Sequence, residues 1–246
     1  MKKLRLGEFE RNSLVVFAIT MIANVLSYLY QIVMGNVLTP ADYGTVNTLL
    51  SLSVVVGVPS GIISALTATY TAKDHAHGET FAIAAFMHGM LRVAAVLAAI
   101  VFVVGALLSR PIAHVLQIDD PHYVTVVMVL VASNCLGPIF SSTLQGVKRF
   151  IPYSMNSVLS FAFRLLLGVI FVWLGWGIPG ALAALILAAC LTMLYCLFKS
   201  RDLFFAPVKE KLALDRTEIR RYFVSTFWFQ LFLLLMANGD VLLIKT

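Results

Sequence analysis

Long apolar runs separated by short polar connections recur from one end of the chain to the other. They extend from Ser13 to Met34, Thr45 to Ala68, Phe81 to Leu108, Tyr123 to Gln145, Tyr153 to Leu174, Ile178 to Phe198 and Phe223 to Ile244. At about 1.5 Å of rise per residue, a helix of about 20 residues crosses roughly 30 Å of hydrocarbon. The runs do not alternate apolar and polar residues with period two, and each is about twice the length of a barrel strand, so they predict helices. The expected fold is all-α: a polytopic transmembrane bundle of about seven spans.

Composition agrees. Of 246 residues, 60% are hydrophobic and 12% charged, too few polar side chains to coat a water-soluble globule. The formal charge of +6 does not point to nucleic acid, because the basic residues sit in loops between spans rather than on one folded face. They also sort by side. Fourteen lysines and arginines lie at the N-terminus and after the second, fourth and sixth spans, against Arg110 and Lys245 on the opposite side. That asymmetry predicts a cytoplasmic N-terminus in an inner or plasma membrane. The first apolar run is longer than a signal-peptide core and lacks a cleavage site, so it reads as a retained first helix.

The polar stretch 199–222, with Pro207 and seven basic residues, predicts a cytoplasmic linker between a six-helix lobe at 1–198 and the first helix of a second lobe at 223–246. Arg216 to Arg221 could form a helix on the membrane surface, attracted to anionic lipid, or a solvated connector. Gly57, Pro59 and Gly61 in the second span, and Gly137 and Pro138 in the fourth, predict bends. Asp119-Asp120-Pro121 reads as a helix-start signal. Cys135, Cys190 and Cys196 lie in apolar runs without disulfide or zinc spacing, and the five histidines are scattered, so neither a metal nor a cofactor is expected.

Charge inside a span carries the sharpest functional signal, since a central arginine costs about 2.5 to 3.5 kcal/mol on insertion scales. Arg164 lies mid-span among Phe161, Phe163, Leu165 and Leu166. It must face protein or water, as a phosphate- or carboxylate-binding fork or as a structural partner of a neighbouring helix. Arg92 lies nearer one end of the third span, where ligand binding and snorkelling are both open. Asp240 near the end of the seventh span is a candidate for ion coupling or an interfacial carboxylate. Asn24, Ser27 and Gln31 share one face of the first span. They either line a hydrophilic cavity or bond neighbouring helices, and Asn47, Asn134 and Asn156 carry the same pair of readings.

Several short stretches resemble the polysaccharide (oligosaccharide) flippase family of the multidrug, oligosaccharidyl-lipid and polysaccharide exporter superfamily. They are Leu38-Thr39-Pro40-Ala41-Asp42-Tyr43-Gly44, Gly57-Val58-Pro59, Gln145-Gly146-Val147-Lys148-Arg149-Phe150, Arg164 with Trp173-Leu174-Gly175-Trp176-Gly177, and Asn238-Gly239-Asp240-Val241-Leu242-Leu243-Ile244-Lys245. The resemblance implies translocation of an oligosaccharide on a polyprenyl diphosphate carrier from the cytoplasmic to the outer leaflet. In that setting Arg164 would meet the diphosphate and the stripe on the first span the sugar hydroxyls. It also implies two six-helix lobes, twelve to fourteen helices in all. The chain then looks like the first lobe plus the start of the second, requiring a further C-terminal lobe or a second chain.

Three alternatives frame that expectation. A drug or cation antiporter of the same superfamily would favour intramembrane acids, whereas the first six spans carry Arg92 and Arg164. A polyprenyl-dependent glycosyltransferase would need a long outer loop with catalytic carboxylates, and the first outer loop holds only Asp42. A non-transporting fragment or scaffold would show no substrate-dependent effect of changing Arg164.

Overall fold

A computed structural model of the chain describes residues 2–78, 80–118, 120–206 and 228. The expected seventh span, Asp240, the Arg216–Arg221 segment and Asp119 lie outside the described residues. Within them the elements are α1 (Lys2–Val37), α2 (Pro40–Val56), α3 (Val58–His77), α4 (Thr80–Leu107), α5 (Ser109–Val115), α6 (Pro121–Gly146), α7 (Phe150–Trp173), α8 (Gly177–Lys199) and α9 (Arg201–Phe204). Among the described residues five helices are long and apolar enough to cross a membrane, and the bent pair α2–α3, taken as one span, makes six. The chain is a multi-span helical membrane protein.

Local chemistry sets the helix ends. Thr39 caps α2: its hydroxyl accepts from Asp42 N at 3.2 Å and donates to the Asp42 carboxylate at 2.8 Å, while Pro40 supplies the fixed φ of the first turn. Asp120 caps α6 in the same way, accepting from His122 N at 2.9 Å ahead of Pro121. The tight connection from α7 to α8 uses Gly175 at φ 84° and Gly177 at φ 52°, where a side chain would be strained. Trp176 between them stacks on Phe171, with centroids 5.1 Å apart.

At Gly57 the second span breaks by 49° into α2 and α3, and a Cβ there would lie 2.7 Å from Ser53 O. At Gly137 and Pro138 the helix is not broken: α6 runs through Pro138 to Gly146. Helix α6 packs against α2, α3, α4, α5, α7 and α8, and these neighbours hold it helical despite the lost N–H. The connection after α4 also contains a short helix, α5, whose Ala113 is buried against the α2–α6 core.

The core follows α6. Val124, Val127, Met128, Leu130 and Val131 join Leu49, Leu182 and Leu185 in one cluster, while Ile139 joins Ile62, Ile63, Leu66 and Phe86 in another. Gly146 lets α6 approach α3 so closely that a Cβ would meet Ala68 O at 2.9 Å. Helix α1 stands at the periphery and packs mainly on α7.

Candidate functional site

Between α2, α3, α6, α7 and α8 lies a cavity of about 470 Å³. The break at Gly57 brings Ser53 and Ser60 into its wall, α6 contributes Ser133, Asn134 and Ser141, and α8 contributes Thr192. Helix α7 presents Asn156, Ser160 and Arg164 at four-residue spacing, hence on one face. Neither aspartate nor glutamate is present in the wall among the described residues.

Most wall hydroxyls already donate within their own helices: Ser53 to Leu50 O at 2.6 Å, Ser60 to Gly57 O at 2.6 Å, Ser133 to Val129 O at 2.9 Å and Thr192 to Ala188 O at 2.8 Å. Their oxygens keep free lone pairs, so they offer acceptors to hydroxyl donors. Pro138 has no N–H, which leaves the Asn134 carbonyl without its usual helical donor beside the same cavity. Asn156 accepts from Cys196 Sγ at 3.2 Å, joining α7 to α8.

Arg164 supplies the charge. Its guanidinium lies over the Phe161 ring, 5.4 Å from the centroid. Its Nε is buried without a hydrogen-bond partner, and among the described residues Arg164 has no carboxylate partner. An uncompensated charge in a low-dielectric interior costs several kcal/mol. The wall is therefore chemically one-signed: a cation and neutral polar groups, suited to an anion that also carries hydroxyls.

Of the sequence-predicted residues, the fold brings together Arg164, Asn134 and Asn156. Asn24, Ser27 and Gln31 form a stripe on α1 outside the cavity wall, with Asn24 and Gln31 exposed and Ser27 half-buried. Buried Ala23, Tyr30 and Met34 mark the face that α1 presents to the bundle. At about 100° per residue the stripe occupies one flank of that face, and exposed Val15, Ile22 and Leu29 occupy the other. Asn47 is exposed on α2, one turn from the wall residue Leu50, and Arg92 is exposed on α4, away from the cavity. Sequence reasoning missed the serines and Thr192 of the wall, which in an apolar run carry no signal of their own except the four-residue spacing Asn156, Ser160, Arg164.

A second arginine is held differently. Arg149, between α6 and α7, donates through Nη1 to Asp202 Oδ1 at 3.0 Å and to Lys199 O at 2.9 Å, and through Nη2 to Asp202 Oδ2. The hydrogen bond from Arg149 holds the Asp202 carboxyl below its ordinary range. Beside this clasp Phe204 stacks on His88 at 4.5 Å and meets Phe140 edge-on at 5.6 Å, fixing α9 to the ends of α4 and α6.

Solved structures share the fold. A MATE transporter from Vibrio cholerae, VcmN in the bent form, superposes with a TM-score of 0.72 at 16% identity, covering 96% of this chain and 57% of that one. A MATE transporter in complex with Br-NRF gives 0.68 at 18% identity, covering 90% and 53%. A MOP superfamily transporter from Pyrococcus furiosus, described as having a binding pocket of reverse polarity that suggests a different function, gives 0.65 at 19%, covering 89% and 52%. The chain spans about half the length of these transporters. No curated protein sequence is significantly similar to it. The family model described as polysaccharide biosynthesis protein matches residues 9–246, and this chain, with the fold of a MOP superfamily lobe, belongs to that family.

Proposed function

We propose that the cavity receives the diphosphate end of a polyprenyl-linked oligosaccharide, which the transporter moves from the cytoplasmic to the outer leaflet for cell-surface polysaccharide synthesis. The observation that carries this reading is the buried Nε of Arg164, unpartnered among the described residues, in a wall to which those residues bring no carboxylate. An anion offsets the cost of that charge, and the planar fork of donors matches a phosphoryl group. The hydroxyl and amide wall supplies partners for sugar hydroxyls. Loop charges support a cytoplasmic N-terminus, which puts the Arg149 clasp on the cytoplasmic side.

Efflux of a cationic drug is the nearest rival, one of the similar structures being described as a multidrug resistance MATE family transporter. It would need an acid in the wall to offset the ligand's charge, and the one-signed wall favours the anion instead.

In the native gene product, Arg164→Ala should abolish export of the lipid-linked sugar while leaving membrane insertion intact. Surface polysaccharide at the native level in that variant would remove the proposal. Arg164→Lys, which keeps charge without the fork, should restore export only in part.

A further inference from the structure

One face of α4 leads to a groove that the transport cavity does not share. Val93, Val96, Ile100, Val103 and Leu107 follow one another at three- and four-residue spacing, hence on one side of the helix, and all are exposed. Such a strip on a membrane-spanning helix meets acyl chains. Where α4 gives way to α5, an open groove of about 370 Å³ lies between α5 and α2, lined by Leu52, Leu108, Pro111, Ile112, Val115 and Leu116. Leu107 and Val115 are each 77% exposed, so the strip on α4 continues onto the groove. At about 100° per residue, Leu52 points away from the cavity residues Leu50 and Val54, and the groove and the cavity open on opposite sides of α2.

Helix α5 divides its surface. Ala113 is buried against the bundle, Pro111 and Val115 are exposed on one flank, and Arg110 and His114, one turn apart, are exposed on the next. That partition is the one an interfacial helix has, apolar toward acyl chains and polar toward headgroups. Arg110 has no carboxylate partner among the described residues. No other lysine or arginine stands in the connections at this end of the bundle, 38–39, 108–120 and 174–176. The one cation at this end therefore stands beside the groove.

We propose that the groove holds an acyl chain of an anionic phospholipid whose phosphate is bound by Arg110, with His114 beside it. Continuity with the strip on α4 selects a membrane lipid, and the apolar lining selects its hydrocarbon chain. The unpaired guanidinium selects an anionic headgroup, which its fork of donors meets with charge-assisted bonds. A chain seated there fills the space between α5 and α2 and ties the α4–α6 connection to the second span. The site is separate from Arg164 and does not depend on the ligand proposed for it.

The probe is a phosphatidylglycerol with a diazirine in one acyl chain, compared with a phosphatidylcholine carrying the same chain. Each is a trace component of phosphatidylcholine liposomes that hold the native gene product. After photolysis, mass spectrometry of peptides should find adducts on residues 108–116 at roughly 10-fold the level with the anionic lipid. Arg110→Gln should remove that preference, while adducts near Lys148 and Lys199 stay as in the native protein. Val115→Asn, at an exposed position where a polar side chain disturbs no packing, should lower labelling of the groove by both lipids. Equal labelling of 108–116 by the two lipids, or a preference that survives in Arg110→Gln, would overturn the proposal. So would adducts from a diazirine-bearing polyprenyl phosphate that excess phosphatidylglycerol fails to compete away, since the groove would then belong to a polyprenyl chain.

Discussion

Arg149 and Arg164 belong to one stretch of chain and meet opposite fates. Arg149, at the end of α7, finds Asp202 and the Lys199 carbonyl, and the two side chains of the pair stay 41% and 51% exposed. Arg164, inside α7, finds an aromatic ring and polar neutral walls, with its Nε buried and unpartnered. An arginine answered by its own protein ties helix ends together. One left unanswered at membrane depth is a standing cost that a ligand can offset.

The strongest way to break the contrast is to give Arg164 what Arg149 has. Ser160→Asp puts a carboxylate one turn away on the same wall, and should lower export by roughly 100-fold through internal pairing and repulsion of the anion. Ser160→Asn, of similar shape without charge, should stay near native. Export at the native rate from the aspartate variant, measured as accumulation of surface polysaccharide, would mean that Arg164 does not act through its charge.

Packing around the two regions should differ by less. Gly146→Ala pushes a Cβ against Ala68 O at 2.9 Å and Ala72 N at 3.1 Å, backbone atoms that cannot swing aside, and should destabilise by about 1–3 kcal/mol. Gly168→Ala meets the far end of Met34, which can rotate away, and should cost under about 1 kcal/mol. Thermal midpoints in detergent rank the two, and the reverse order would show that α1–α7, rather than α3–α6, is the rigid contact.

The smallest effect belongs to the clasp. Asp202→Asn should cost well under about 1 kcal/mol, since the pair is solvent-screened. Its pH dependence has a definite sign. Because Asp202 titrates lower in the folded protein than in the unfolded chain, its stabilisation is complete above about pH 4 and is lost as the pH falls through the lowered folded value. The midpoint difference between native and variant should therefore be flat at neutral pH and close in acid; a difference that widens in acid would contradict the pairing.

The first six spans were legible because lipid imposes length and apolarity on each helix separately. The start at Asp120 and the break at Gly57 were legible because each is set by a few adjacent residues. Whether a proline breaks a helix depends on the surrounding helices, and α6 runs on through Pro138 with neighbours packed along it. In the cavity, Arg164 declared itself by its cost. Ser133 and Thr192 did not, since a small hydroxyl in an apolar run is ordinary until the fold shows which wall it faces. The stretches that carry the family resemblance turn out to build helix ends and close contacts: Thr39, Gly146, Arg149 and Gly175 all do so.

Transfer across a sealed bilayer tests the central claim most directly. With the native gene product in liposomes and a labelled polyprenyl-diphosphate oligosaccharide in one leaflet, the native protein should move the label. Arg164→Ala should match the protein-free leak, and Arg164→Lys should fall between. An alanine variant that moves the label at the native rate would contradict the assignment of Arg164 as the seat of the anionic headgroup.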